Sequence, residues 1–200
     1  QYVDLGTGSK ITTLGETFSY GISLNPNSTF IANALTIDTQ TTGNTGNAIG
    51  IEIHGNNTHI DLGSNTVVRV AGSNALGLMI GGEIKADSLI VDIIGIEPTL
   101  PGNSTVGIAG SSTLTDSVNA NIGADSHISV VHGSGIVASF MPGIGESAVI
   151  NFLGSETQRN SITVSGNRYI NAAAAGYERT ELNLNNTDIR VDYEGNKLLE

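Results

Sequence analysis

Four histidines, His54, His59, His127 and His132, are the side chains best suited to hold a metal or move a proton near neutral pH. Their spacing fits neither a helical pair of zinc ligands nor a zinc finger. His127 and His132 bracket a strand-like segment and His59 precedes another, so solvated strand-end histidines and no metal are expected. A serine nucleophile would sit on a Gly-x-Ser-x-Gly turn, and the sequence contains none. Ala86-Asp87-Ser88-Leu89 comes nearest but lacks the glycine, and reads as turn chemistry. Glycan cleavage on carboxylates needs two or three acids converging on one face. Arg69 and Asp92 fall on adjacent repeats and predict an exposed ion pair, and in the third element only Asp4 and Asp61 are carboxylates, with Lys85 one repeat past Asp61. Asn27, Asn56, Asn103 and Asn185 begin sequons, but they fall at expected corners where Asn, Ser and Thr are favoured anyway. The expectation is a non-enzymatic chain with no catalytic residue, no metal and no cofactor.

Composition narrows the partners. The 200 residues carry a formal net charge of -11, with 8 Lys and Arg against 19 Asp and Glu. A nucleic-acid partner needs Lys and Arg to displace counterions, and anionic lipid needs the same. Neither is expected. There is no apolar run of 18 residues, so no helix of this segment should insert in a membrane. Cysteine is absent, which removes disulfides and thiolate metal sites. Only 14% of residues are charged and 4% aromatic, while Gly reaches 26.

The elements that must position any site are short strands in a repeat. One element has the form apolar, polar, apolar: Ile11-Thr12-Thr13, Leu35-Thr36-Ile37, Val68-Arg69-Val70, Val91-Asp92-Ile93, Ile128-Ser129-Val130, Ile162-Thr163-Val164 and Ile189-Arg190-Val191. Period-2 alternation puts the flanks inside and the middle residue in water. A second element starts on Gly21, Gly50, Gly77, Gly107 and Gly135, 29, 27, 30 and 28 residues apart, each followed by Ile or Leu. A third reads Val3-Asp4-Leu5, Phe30-Ile31-Ala32, Ile60-Asp61-Leu62, Ile84-Lys85-Ala86, Val118-Asn119-Ala120, Ile150-Asn151-Phe152 and Leu182-Asn183-Leu184. Three short strands about every 30 residues predict an all-β chain folded as a right-handed parallel β-helix of six to seven coils. An antiparallel β-sandwich is the alternative, and the near-constant period favours the helix. Loops are expected at 38–47, 95–104, 111–117, 141–146 and 156–160. Residues 1–200 read as a single segment cut from a longer rod, since neither end resembles a cap.

Two outward columns stand out as candidate binding residues. Asn119, Asn151 and Asn183 are spaced 32 and 32 residues apart and should stack, offering paired donors and acceptors to sugar hydroxyls or to a like column. Met79, Ala109, Val137 and Ala173 are successive apolar residues at outward positions of the glycine-led element. They imply a contact surface or a loop folded over that face.

Repeated Gly-Ile-x-Ile strands, Asn-Ala-Ile/Leu-Gly corners at 47–50 and 74–77, and the Ile-x-Val-x-Gly ending at 162–166 resemble the passenger domains of bacterial autotransporters, especially the adhesin-type group. The resemblance covers the whole chain. It implies export across the outer membrane to the bacterial cell surface, or secretion. It also implies contact with a host glycan or matrix protein, or with a copy of itself on a neighbouring cell. The Gly-Asp-Ser-Gly motif of the serine-protease branch is missing, so no catalytic residue carries over. A β-helix polysaccharide lyase or hydrolase, a tailspike-like glycan binder and a passive stalk are the alternatives.

Overall fold

The computed structural model describes residues 1–55, 57–95, 105–110, 117–137, 147–165 and 180–192. The chain winds through seven coils. The first holds β1 (Tyr2–Thr7), β2 (Lys10–Gly15) and β3 (Phe18–Leu24); the second β4 (Thr29–Asn33), β5 (Thr36–Thr41) and β6 (Asn47–Ile53). The third holds β7 (His59–Asp61), β8 (Thr66–Gly72) and β9 (Asn74–Ile80); the fourth β10 (Glu83–Ala86), β11 (Leu89–Gly95) and β12 (Val106–Gly110). The fifth holds β13 (Val118–Ile122), β14 (His127–Val131) and β15 (Ser134–Val137). The sixth has β16 (Ala148–Leu153) and β17 (Asn160–Ser165), and the last β18 (Thr180–Asn185) and β19 (Thr187–Asp192). Every strand pairs in parallel with its equivalent one coil away, giving three sheets. Sheet 1 stacks β1, β4, β7, β10, β13, β16 and β18, and sheet 2 stacks β2, β5, β8, β11, β14, β17 and β19. Sheet 3 stacks β3, β6, β9, β12 and β15. This is a parallel β-helix, as the repeat predicts. Seven coils at about 4.8 Å make a rod about 30 Å long.

The inward flanks form one continuous apolar core. Ile37, Val68, Val91, Ile128 and Ile162 stack from sheet 2. Ile60, Ile84, Ala120 and Ile150 stack from sheet 1, and Ile51, Leu78, Ile108 and Ile136 from sheet 3. β-Branched residues suit this because identical shapes repeat at one strand spacing. Corners use the left-handed backbone that Asn and Asp tolerate, with positive φ at Asn57, Asn65, Asp125 and Asn186.

The glycines of sheet 3 have a different cause. Gly21, Gly50, Gly77 and Gly107 do not adopt left-handed φ; they lack room. A Cβ on each would fall 2.3, 2.4, 2.5 and 2.7 Å from a γ-carbon of Ile37, Val68, Val91 and Ile128. Each of those residues belongs to sheet 2 of the following coil. The same Cβ would lie 2.4 to 2.7 Å from the carbonyl oxygen of the next glycine in the column. The glycine period thus records where sheet 3 is pressed against sheet 2.

One segment of sheet 2 departs from the repeat alignment. Ile11 pairs with Ile37, so the second copy in sheet 2 is Ile37-Asp38-Thr39 rather than Leu35-Thr36-Ile37. Asp38 to Thr41 therefore continue β5 instead of opening a loop, and the turn between strands is 42–46. The expected loop at 156–160 exists as a turn that ends where β17 begins at Asn160. The loops expected at 95–104, 111–117 and 141–146 lie almost wholly outside the described residues.

Candidate functional site

Sheet 1 carries an amide ladder, but in a different register from the expected one. Asn151 pairs with Asn121 on one side and Asn183 on the other, whereas Asn119 pairs with Val149. Asn183 Nδ2 donates to Asn151 Oδ1 at 2.8 Å, and Asn151 Nδ2 donates to Asn121 Oδ1 at 2.9 Å. Asn121 Nδ2 then donates sideways to Asn119 Oδ1 at 3.2 Å. The correction has a simple origin. A two-residue slip leaves the inside-outside pattern of a strand intact, so alternation alone cannot choose between Asn119 and Asn121. Asn151, in the middle of the column, spends one N–H on Asn121 and one lone pair on Asn183. Further along the same column, Lys85 lies between Asp61 at 3.5 Å and Asp87 at 3.6 Å, and in the adjacent column His59 meets Glu83 at 2.8 Å. The two aspartates hold the Lys85 ammonium above its ordinary range, Asp61 contributing most.

Phe18 and Tyr20 of β3 are exposed, but from β6 to β12 sheet 3 turns its outer face away from solvent. Met79 is 9% exposed and Ala109 is fully buried, and they form a second apolar cluster with Ile49, Leu76 and Val106. Val137 is the register partner of Ala109 in β15, and Ala173 lies outside the described residues. In the same outward row Glu52 is buried, accepting a hydrogen bond from Ser23 Oγ at 3.1 Å and lying 3.0 Å from His54 Nε2, both at Oε2. Serine, histidine and acid are thus together, but in the wrong order for nucleophilic catalysis. The carboxylate separates Ser23 from His54, whereas activation needs the imidazole between serine and acid. Burial, and next the charge of Glu52, push the Tyr20 phenol up.

Sheet 2, like sheet 1, presents an open face. Its central outward column runs Thr12, Asp38, Arg69, Asp92, Ser129, Thr163, Arg190. Lys10 Nζ lies 2.7 Å from Asp38, and Arg69 reaches Asp38 at 3.4 Å and Asp92 at 3.8 Å. The hydrogen bond from Lys10 holds the Asp38 carboxyl below the usual carboxylate range. Apolar residues border the charges on both sides. Val67 and Ile90 are adjacent in one flanking column, and Ala71, Ile94 and Val131 in the other. Ile94 is 60% exposed. Between the charged column and the Ala71, Ile94 and Val131 border runs an open trough of about 640 Å³, lined by Asp38, Arg69, Asp92, Ile94, Ser129 and neighbouring strand residues. Sequence reading identified the charged column from Arg69 onward but passed over the face, because its apolar borders sit outside the three-residue repeat. Among the described residues no group of three His, Cys, Asp or Glu side chains is placed to hold a metal.

The sequence was compared with known proteins. It is 41% identical over 205 residues to a protein of Escherichia coli (strain K12) described as "Probable autotransporter YcgV", covering 98% of this chain and 18% of that protein. It is 40% identical over 198 residues to "Putative uncharacterized protein YcgV" of Escherichia coli O157:H7, covering 95% of this chain and 31% of that one. The chain therefore spans less than a third of the length of either relative. No family model matches it, and no solved structure does. The likeness to an autotransporter that the strand texture implied holds across nearly the whole chain.

Proposed function

We infer that this chain is a length of the β-helical passenger of an autotransporter, exported across the outer membrane, and that it works by contact rather than by catalysis. The observation that carries the contact reading is the outer face of sheet 2: seven strands wide in one plane, open to solvent, and banded with charge between apolar borders. A parallel sheet is usually covered on both faces. One left open over this area offers many small contacts in a row. A rigid rod adds those contacts without ordering cost in its backbone, and many copies on one cell multiply them. The resulting activity is adhesion, either to a host glycan or matrix protein or to another copy.

The chemistry of the acids supports a non-enzymatic role. Glycosidic cleavage needs one carboxyl whose affinity for protons is raised so that it can act as an acid. Asp61 and Asp87 flank Lys85, and Asp38 and Asp92 flank Arg69. Each pair has a cation between its two carboxylates. Asp38 and Asp188 are both shifted downward, the wrong direction for a general acid.

Beads coated with the purified chain provide the test. Clumping, or retention on immobilised matrix proteins or a glycan array, is the expected result. Beads that neither clump nor adhere to any of these surfaces would leave a passive stalk as the better reading.

A further inference from the structure

We propose that the outer face of sheet 1 carries a binding site for a neutral sugar, centred on Glu83 and Asn119. The site goes beyond the contact reading above, which concerns sheet 2, and it stands on separate observations.

The first of these is the polarity of the amide ladder. Its side-chain bonds all run one way: Asn183 donates to Asn151, Asn151 to Asn121, and Asn121 to Asn119. Asn119 is therefore the last amide of the chain. Its Oδ1 accepts, and its Nδ2 has no acceptor among the described residues. Hydrogen bonds in a chain polarise one another, so Asn119 Nδ2 is a better donor than that of an isolated amide. A strong acceptor lies one coil away. Asn119 is the register partner of Glu83, and Glu83 is the partner of His59. Glu83 spends Oε2 on His59 Nδ1 at 2.8 Å, and Oε1 has no partner among the described residues. Backbone bonds pin both strands at this point. Glu83 N–H donates to the Thr58 carbonyl and Asn119 N–H to the Gly82 carbonyl, each at 2.9 Å.

Around these groups lies a pocket of about 460 Å³, within the size range of small-molecule sites, lined by Thr58, His59, Gly82, Glu83, Ser117 and Asn119. A second pocket, of about 180 Å³, shares His59 and Glu83 and adds Asp61 and Lys85. Among the described residues the larger pocket is lined by no hydrocarbon side chain, so it offers a peptide no anchor. A hydroxyl, by contrast, both donates and accepts. Neighbouring strands lie about 4.8 Å apart, so a carboxylate on one coil and an amide on the next suit two adjacent hydroxyls. One donates to Glu83 Oε1 and the other accepts from Asn119 Nδ2. The vicinal hydroxyls of a pyranose ring meet that demand.

Charge selects among sugars. Asp61, Glu83 and Asp87 outnumber Lys85, whose ammonium is already shared between Asp61 at 3.5 Å and Asp87 at 3.6 Å. A uronate or a sulfated sugar would meet these acids and a net charge of -11. A neutral hexose meets neither penalty. The side chains of Glu83 and His59 are about half exposed, so the site is shallow and a single sugar binds weakly. Retention on a surface dense in glycan then comes from number.

NMR titration of the chain with the methyl glycosides of glucose, mannose and galactose tests the site. At least one glycoside should move the side-chain amide signals of Asn119 before those of Asn183, and its fully O-methylated form, which has no hydroxyl to donate, should move neither. Asn119→Ala and Glu83→Ala should each weaken binding about tenfold, whereas Arg69→Ala on sheet 2 should leave it unchanged. The methyl glycoside of glucuronic acid should bind more weakly than that of glucose. No shift at Asn119 with any of the three hexosides overturns the proposal, and so does binding that survives both alanine variants or favours the uronate. Beads coated with the Asn119→Ala, Glu83→Ala chain should keep whatever clumping or matrix-protein retention the wild type shows; its loss would overturn the separation of the two faces. Wild-type beads that do neither, on a chain whose Asn119 still responds to sugar, would sink the sheet 2 contact and leave this site standing.

Discussion

Replacing Gly77 by alanine tests why the repeat begins with glycine. The added Cβ would sit 2.4 Å from the carbonyl oxygen of Gly107, 2.5 Å from Val91 Cγ1 and 3.0 Å from Ile93 Cδ1. Ordinary contact is about 3.5–4.0 Å, so β9 must move about 1 Å away from sheet 2, or β12 must shift. Overpacking of this kind costs about 1–3 kcal/mol, and a clash with backbone belongs at the upper end. Alanine recovers about 0.4–1 kcal/mol by restricting the unfolded chain. The net expectation is a loss of about 2 kcal/mol. With a urea slope of roughly 2–3 kcal/mol/M, the unfolding midpoint should fall by nearly 1 M. Val91→Ala alone removes a fully buried side chain and should cost about 2 kcal/mol. In the Gly77→Ala background it should cost at least about 0.5 kcal/mol less, since it also relieves the clash. A midpoint unchanged by Gly77→Ala, or strictly additive behaviour of the pair, would refute the account of the glycine column as a steric requirement.

Asn151→Ala should destabilise by about 1–2 kcal/mol through loss of two amide bonds, and Asn119→Ala by less than about 1 kcal/mol; equal losses in urea unfolding would contradict the ladder through Asn121. Phe152→Ala, at a fully buried position, should cost about 3–5 kcal/mol, while Leu153→Ala next to it, 49% exposed, should change the midpoint little. Met79→Asp should lower stability by more than about 3 kcal/mol because the site is buried; a stable, well-folded variant would mean the outer face of sheet 3 is open. The downward shift of Asp38 means that its contribution is present above its unfolded value of about 3.9 and is lost as pH falls through the lower folded value. Asp38→Asn should therefore reduce the slope of stability against pH below about pH 4, measured by thermal unfolding across an acid series.

The coil architecture was legible because each strand repeats its own shape requirement. The sheet 3 register was read correctly from β3 to β15, since a glycine with no room for a side chain marks one position and no other. Sheets 1 and 2 lack such a marker. Their apolar-polar-apolar units look the same after a two-residue slip, and there the alignment failed, at Thr36 against Asp38 and at Asn119 against Asn121. A signal was available in the corner between them. From the sheet 1 flank to the sheet 2 flank the chain takes seven or eight residues in Ile60 to Val68, Ile84 to Val91 and Leu182 to Ile189. Ala120 to Ile128 fits that length and Val118 to Ile128 does not. The burial of Met79 and Ala109 was left open by the sequence, because alternation tells which side of a strand a residue faces and says nothing of what covers that side.

The hydrogen bonds that join the coils run along the rod, one strand to the next. Tension applied along that direction does not shear the three sheets; it peels the terminal coil. A peeled coil of about 30 residues reaches roughly 100 Å when drawn out, in exchange for the 4.8 Å it occupied when wound. The next coil then bears the same load, with a similar number of bonds. Loaded along its axis, such a rod would therefore lengthen in steps at nearly constant force, one coil at a time.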